Sequence, residues 1–202
     1  MWRKIAKKES ARIKLMDALV KIGKEKRFED ISITELCQEA NIHRCTFYNH
    51  YETKDDLLRD MESIYLEASD HFGKKLPALN LDDPEESYRQ WCTICENLAE
   101  FHIQTRDMFL FLMSPDGDPY FRLRLKKMMK SYYIHMLEGN HPQSKVNVDY
   151  ISDFLASGII DMICFWLEQE ELTVADFVAL LSKMVLIIVH VFKETPSAGG
   201  VR

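Results

Sequence analysis

The amino-acid sequence predicts an all-α fold with a small N-terminal domain and a larger C-terminal one. Three observations lead to this prediction. The 202 residues include only seven Gly and six Pro, the residues that most often interrupt helices. Apolar side chains recur at three- and four-residue spacing over long stretches, and no segment shows the strict alternation of a strand. Packed helices therefore account best for this chain.

Charge is distributed unevenly along the sequence. The first 27 residues carry ten Lys and Arg against three Asp and Glu, whereas residues 61–202 carry 13 against 21, and the net charge is −6. A basic N-terminal segment on an acidic body indicates a polyanionic partner at that end only. On charge alone, a solvated Lys-rich first helix explains the pattern at least as well, so both interpretations stay open.

Cysteine usage and the N-terminus predict a cytoplasmic protein with reduced thiols. The five Cys are odd in number and irregularly spaced, and residues 1–6 lack the apolar core of a secretion signal. The longest apolar stretch, residues 174–192, contains Asp176 and Lys183 and repeats at helical spacing. We therefore expect this stretch to be a buried helix, with no membrane partner.

The first two predicted helices are joined by a short connector. Helix 1 is expected over residues 10–26, and residues 28–31 connect it to helix 2. Ser32 and Glu35 fit a capping box, in which each side chain accepts a hydrogen bond from the other residue's backbone N–H. Helix 2 is then expected to end near Ala40.

A tight turn at Asn41 separates helix 2 from helix 3. Such a turn needs a residue that tolerates positive φ, and Asn is the best choice after Gly. The apolar positions that can meet between the helices are Leu36, Ala40, Ile42 and Phe47, with Tyr51 just behind. The remaining side chains of helix 3 point away from this core: His43, Arg44, Thr46, Tyr48, Asn49 and His50. A short helix with hydrogen-bonding side chains is what reading the major groove of DNA requires.

The rest of the chain continues as helices separated by clear breaks. Thr53 caps a longer helix, and the two Asp residues that follow suit its positive N-terminal end. Residues 114–118 form a turn. The further helices are expected over residues 54–72, 84–101, 107–113, 119–137, 148–169 and 174–193. Residues 195–202 are expected to form a disordered tail.

The segment from residue 31 to 58 resembles the DNA-binding segment of the TetR family of transcriptional regulators. The resemblance is carried by Thr46-Phe47-Tyr48 on helix 3, then Tyr51, Thr53-Lys54 and Leu57-Leu58. It implies a three-helix helix-turn-helix DNA-binding domain over residues 1–53. It also implies a helical ligand-binding and dimerisation domain over residues 54–194.

The same resemblance implies roles for individual residues in DNA binding. Arg44, Thr46 and Asn49 should lie near base edges, with Arg44 best placed for a guanine. Thr34 should donate to a phosphate, and His43 begins the same helix. The backbone should also be held by Tyr48, His50 and Lys54. Asn41, His43 and Cys45 depart from the family pattern, so no relative's operator sequence can be transferred.

A homodimer is expected, because one short recognition helix rarely gives enough affinity alone and two copies would read a palindromic operator. In TetR-family members the last two helices pair with their copies. The candidate interface residues are Ile151, Leu155, Gly158, Ile159, Met162, Phe177, Leu181, Met184, Val185 and Ile188. The alternative is that one of these faces is the core of the single chain.

Helices 4 to 8 are expected to enclose any site for a small apolar or aromatic effector. The candidate lining residues are Tyr65, Trp91, Cys95, Phe109, Met128, Tyr132 and Phe154. Ordinary core packing is the alternative for each of them. Cys92 and Cys95 resemble a redox pair but sit within a helix, where two packed thiols are the simpler interpretation.

The sequence contains no nucleophile–base–acid set or phosphate loop, and its His residues have no metal-ligand spacing, so we expect no enzyme, no metal and no cofactor. Three functions are weighed, of which an enzyme or thiol sensor built on Cys92 and Cys95 has the least support in the residues. The first is a repressor that a small-molecule effector releases from DNA. The second is a DNA-bound co-activator or adaptor that docks a protein partner through its C-terminal domain.

Overall fold

The computed structural model describes residues 10–76, 84–138, 145–169 and 171–194 and confirms the all-α fold. The described residues form nine α-helices and contain no strand. The helices are α1 Ser10–Ile22, α2 Ile33–Glu39, α3 Arg44–Tyr48, α4 Lys54–Gly73, α5 Pro84–Gln104, α6 Arg106–Met113, α7 Phe121–Glu138, α8 Lys145–Gln169 and α9 Val174–Glu194. A 3₁₀ turn over Phe28–Asp30 connects α1 to α2.

Three helix boundaries differ clearly from the prediction, and one of them is the end of α5, which lies at Gln104 and not at residue 101. α1 ends at Ile22, because Gly23 lies against the ring of Phe111. After it, the amides of Glu25 and Lys26 both donate to the Ile22 carbonyl. α8 begins at Lys145, three residues earlier than expected. The predicted disordered tail, residues 195–202, lies outside the described residues.

The described chain divides into two compact units. The first contains the residues up to Ser69 together with Gln104–Leu123, and the second contains Asp70–Ile103 and the residues from Arg124 onward. This division by packing does not coincide with a boundary after residue 53. The reason is that most of α4, and the whole of α6, pack with the first three helices.

The first unit has the predicted helix-turn-helix. Ser32 and Glu35 form the expected capping box at the start of α2, and Asn41 has the expected positive φ of 51°. α1 contacts α2, α3 and α6. The same unit contains an aromatic cluster, in which Tyr65 stacks on Phe109 at a ring-centre distance of 5.4 Å.

The second unit is held by aromatic and charged contacts between its helices. Trp166 on α8 stacks on Phe177 on α9 at 4.1 Å, and its indole N–H donates to the Leu172 carbonyl at 2.9 Å. Lys126 on α7 donates to Asp153 on α8 at 2.7 Å. The α8–α9 pair is thus fastened at the turn between its helices.

Residues Val148–Gln169 of α8 have the length and apolar composition that crossing a membrane would need, with a mean hydropathy of 1.5. Within the chain, 44% of that stretch is buried, and a core helix of a soluble protein passes the same test. Composition alone is therefore weak support for a membrane span.

Candidate nucleic-acid interface

One side of helix α3 packs on a buried apolar core, and the opposite side is exposed to solvent. Phe47 has no exposed surface, and neither has Leu36 on α2. With this face of α3 packed on α1 and α2, the side chains of Arg44, Tyr48 and Asn49 are exposed. The sequence pattern predicted this division of α3 into a buried and an exposed side.

Arg44 and Tyr48 lie one turn apart on α3 and contact each other. The guanidinium donates to the Tyr48 hydroxyl at 3.3 Å, and its central carbon lies 5.9 Å from the ring centre. This hydrogen bond is the main cause of the raised pKa of Arg44, so the side chain remains a cation. Tyr48 is 49% exposed and packs edge to face on Phe47. A cation and a phenol held together in this way suit an anionic, hydrogen-bonding surface.

The other candidate DNA contacts lie on both sides of this pair. Thr34, in the first turn of α2, is exposed, and so is His43, whose side chain makes no capping hydrogen bond at the start of α3. Asn49 is exposed at the end of α3, whereas Thr46 and His50 are half-buried. Thr34, His43 and Asn49 are therefore fully accessible to a partner, whereas Thr46 and His50 are accessible in part.

Lys54 has a different environment from the predicted phosphate contact. Its ammonium group donates to the carbonyls of Phe28, Glu29 and Ile31 at 2.7, 2.7 and 3.0 Å. A lysine ammonium has three N–H donors, so all three are engaged inside the first unit. Sequence position alone missed this role because the partners are backbone carbonyls more than 20 residues away.

A buried-edge ion pair that the sequence did not indicate supports α3 from behind. Arg12 on α1 donates through Nε to Asp60 on α4 at 3.0 Å and contacts the Tyr51 hydroxyl at 3.4 Å. Tyr51 in turn donates to Asp60 at 2.6 Å. The pKa of Arg12 is raised, mainly by its hydrogen bond to Asp60. These contacts hold Tyr51, three residues after the end of α3, to Arg12 on α1 and Asp60 on α4.

Two of the residues predicted to line an effector pocket, Tyr65 and Phe109, lie in the first unit. Both have no exposed surface, and Tyr65 also meets Phe121 edge to face at 5.7 Å. Their rings are partners of one another in the cluster described above. Core packing explains both positions without a ligand.

The other five candidates lie in the second unit. Trp91 and Cys95 are buried on α5, and the indole nitrogen of Trp91 has no hydrogen-bond partner among the described residues. Met128 and Tyr132 are half-buried on α7. Phe154 is 63% exposed, which contradicts a place in the lining of an enclosed pocket, because its ring faces solvent.

The two cysteines of α5 are packed thiols. Cys92 lies 3.4 Å from the Ser182 hydroxyl, and burial raises the pKa of Cys95 to about 12. A thiol that stays protonated is a poor nucleophile and a poor metal ligand. Over the described residues, no group of three or more His, Cys, Asp or Glu side chains could hold a metal ion. His141 lies outside the described residues.

The predicted dimer face needs a correction, because half of its residues are buried within the single chain. These residues are Leu155, Ile159, Phe177, Leu181 and Val185. Among them, Phe177 stacks on Trp166 across the α8–α9 contact. Of the others, Ile151, Gly158 and Met162 are half-buried and Met184 is 42% exposed. Ile188 lies outside the residues whose side chains are described.

A different stripe of the same two helices is exposed and apolar. We call it the α8–α9 face, and it consists of Phe154, Phe165, Leu180, Met184 and Ile187. Phe165 and Leu180 also line a groove of about 420 Å³ at the turn between the helices. The sequence signal for this face was present, because these residues recur at helical spacing.

Comparison with known proteins identifies relatives of one kind. The TetR-type family described as "Transcriptional regulator C-terminal region" matches residues 89–186. An HTH-type transcriptional regulator of Bacillus subtilis, YxbF, is 24% identical over 159 residues, which are 77% of this chain and 39% of YxbF. The chain thus spans about two fifths of the length of that curated relative.

Solved structures share the fold over nearly the whole chain. A TetR transcriptional regulator from Streptococcus agalactiae is 24% identical with a TM-score of 0.57, covering 91% of this chain and 96% of its own. Thermus thermophilus FadR, a TetR-family repressor in complex with lauroyl-CoA, is 20% identical with a TM-score of 0.53, covering 94% of this chain and 100% of its own. The similar proteins are regulators and not enzymes, as expected from the sequence.

Proposed function

We propose that this chain is a transcriptional regulator of the TetR family, and specifically a cytoplasmic, homodimeric repressor that binds a palindromic operator and is released by a small-molecule effector. The TetR-type family that matches residues 89–186 and the similarity to regulators of this kind support the proposal. The observation that carries the proposal is the exposed side of α3. A short helix on a buried core offers a cation, a phenol and an amide to one partner. This is the arrangement with which helix-turn-helix proteins read the major groove.

In the proposed complex, α3 lies in the major groove of the operator. Arg44 donates two hydrogen bonds to a guanine edge, and Thr46 and Asn49 meet neighbouring bases. Each such bidentate contact discriminates against a wrong base by about 1–3 kcal/mol. The backbone is held by the side chains on either side: Thr34, His43, Tyr48 and His50.

A second copy of the chain is proposed to cover the α8–α9 face. Phe154, Phe165 and Ile187 are 63%, 64% and 62% exposed, which leaves large apolar side chains in contact with water. Contiguous apolar patches of this kind on soluble proteins mark interaction sites. A dimer carries two recognition helices, and helix-turn-helix dimers read half-sites about 34–36 Å apart, which is why we propose a palindrome.

The effector is proposed to be an apolar or aromatic molecule that binds in the second unit near Trp91. The buried indole N–H of Trp91 lacks an acceptor among the described residues, and a ligand oxygen could supply one. The lauroyl-CoA bound by the Thermus repressor, which shares the fold, is a partly apolar ligand of this kind. Release from DNA requires the effector to bind the free and DNA-bound states with different affinities.

A second candidate is a DNA-bound co-activator or adaptor that docks another protein through its C-terminal domain. The groove beside Phe165 favours this candidate, because an amphipathic helix of a partner could enter it. Mutually exclusive binding of DNA and a small molecule would favour the repressor. A stable ternary complex with a second protein, insensitive to small molecules, would favour the adaptor.

The test is selective retention of genomic DNA. Fragmented DNA from the source organism is incubated with the purified chain, and the retained fragments are sequenced. Arg44→Ala and Tyr48→Ala are compared with Arg89→Ala, which alters an exposed cation on α5. We expect a shared palindrome that both α3 variants lose and the control keeps. Retention that is absent, or equal in all variants, would refute DNA reading by α3.

A further inference from the structure

We propose that Lys54 is a positioning residue for DNA binding, which ties the start of α4 to the segment before α2 and thereby orients α3. On this view it makes no phosphate contact of its own. The inference rests on the proposed DNA-binding function for its consequence, but its structural part concerns only the first unit.

The hydrogen bonds of Lys54 leave no donor for DNA. Three carbonyl oxygens surround Nζ at 2.7, 2.7 and 3.0 Å, one for each N–H. The ammonium also lies 4.8 Å from the centre of the Phe28 ring, within cation–π range. A phosphate could bind only by replacing one of these partners.

The carbonyls that Lys54 binds lie at the 3₁₀ turn and just after it. Phe28 and Glu29 are the first two residues of the turn, and Ile31 follows its last residue. The Phe28 carbonyl also accepts from the Ile31 amide at 3.2 Å, so Lys54 adds a second donor there. Phe28 and Ile31 are 7% and 1% exposed, so water reaches these two residues poorly, whereas Glu29 is exposed. A basic side chain near the end of a helical turn commonly binds its carbonyls. Removing the Lys54 ammonium would take this donor away from the carbonyl of Ile31, a residue that is 1% exposed.

The hydrogen bonds of Lys54 influence the position of α3 through α2. Ile31, whose carbonyl Lys54 holds, directly precedes Ser32, the N-cap of α2. α2 packs on α3 through the turn at Asn41. The other end of the 3₁₀ turn is held as well, since the Phe28 amide donates to the Asp116 carbonyl at 3.1 Å. Displacing the Ile31 carbonyl would therefore shift the beginning of α2 and the helix packed on it.

The experiment compares Lys54→Arg with Lys54→Met. Arg keeps the charge but spreads its donors over a planar fork, which cannot direct three hydrogen bonds from one atom to three carbonyls. A phosphate-binding role predicts that Lys54→Arg binds DNA like the wild type. The positioning role predicts that Lys54→Arg already loses preference for the retained operator over a random-sequence duplex, by about tenfold or more.

Salt dependence separates the two roles independently. Loss of one phosphate contact flattens the slope of log K against log salt by about 0.9 on a random-sequence duplex. We expect neither Lys54 variant to change this slope. The midpoint of thermal unfolding of Lys54→Met should lie about 4–8 °C below that of the wild type. Lys127→Met, an exposed lysine on α7, serves as the matched control and should change neither quantity.

Amide hydrogen exchange makes the inference testable even without an operator. The amides of residues 31–33 should exchange faster in Lys54→Arg than in wild type, while those in the middle of α1 should not change. If wild type binds no duplex DNA, the proposed function fails but this exchange result still decides the tie. Unchanged exchange and unchanged thermal stability in both Lys54 variants would overturn the inference, as would a flattened salt slope.

Discussion

His102, in the last turn of α5, is buried as a neutral imidazole. It is 5% exposed, and its ring lies 5.5 Å from that of Phe101. Burial lowers its pKa from 6.5 to about 3, because desolvation penalises the charged form. In the unfolded chain the same side chain takes up a proton below about pH 6.5. Acidification through this window therefore lowers the free energy of unfolding.

We predict that His102→Gln flattens the dependence of stability on pH. Between about pH 6 and pH 4, this residue should lower the free energy of unfolding of the wild type by roughly 1 kcal/mol for each pH unit of acidification. The variant should lack this contribution. Urea unfolding at several pH values measures the difference. His71→Gln, on the exposed side of α4, is the control and should keep the wild-type slope. Equal slopes in all three proteins would show that His102 is not the source.

Single side chains also show how far the candidate site can be predicted from sequence. The exposed side of α3 follows from helical spacing, because Phe47 had to face the core and Arg44 and Tyr48 then could not. The partners of Arg12 and Lys54 do not follow from spacing. Asp60 is 48 residues from Arg12, and the acceptors of Lys54 are carbonyls that carry no residue-type signal.

At the scale of secondary-structure elements, the end of α1 is determined by tertiary contact. A Cβ at Gly23 would collide with the ring of Phe111 on α6, so only glycine allows this approach. Gly158 in α8 is the opposite case, since a Cβ there would meet no atom of the chain within 4 Å. One glycine is thus required by packing within the chain and the other is not.

We predict opposite effects of alanine at these two glycines. Gly23→Ala should lower the free energy of unfolding by about 1–3 kcal/mol, because it overpacks the contact between α1 and α6. Gly158→Ala should leave the fold of the single chain intact and favour the helix by up to about 1 kcal/mol. Thermal unfolding of both variants at one protein concentration is the measurement. A neutral Gly23→Ala would mean that the ring of Phe111 moves aside freely.

The sequence predicted the position of each helix better than it predicted which side of the helix is buried. α8 is apolar on two sides: Leu155 and Ile159 pack within the chain, while Phe154 and Phe165 face solvent. Periodicity identifies a helix from either stripe but does not say which stripe meets the rest of the chain. Half of the residues assigned to the dimer face are therefore buried within the single chain.

On the scale of the whole chain, α4 contributes its residues up to Ser69 to the first unit and its last residues to the second. Hydrogen bonds hold it within each unit. In the first unit its start is held by Lys54. In the second, the Tyr132 hydroxyl donates to Asp70 and its ring lies against Gly73. Asp70 also pairs with Lys74, and these two partners lower its pKa.

Assembly gives the last prediction, which concerns the α8–α9 face. Ile187→Glu and Phe165→Glu each place a carboxylate in an apolar area that we propose a second copy covers. Burying that charge should raise the dimer dissociation constant by about two orders of magnitude or more. Leu123→Glu is the matched control, because Leu123 is equally exposed, at 63%, but lies on α7.

Sedimentation velocity over a range of concentrations measures the effect, with circular dichroism to verify that each variant folds. The wild type and Leu123→Glu should sediment as dimers, and the two α8–α9 variants as monomers. The monomers should also bind the palindrome far more weakly, because each carries a single recognition helix and a half-site supplies only part of the contacts. Variants that stay dimeric would move the interface to another surface, and a monomeric wild type would remove the palindrome from the proposal.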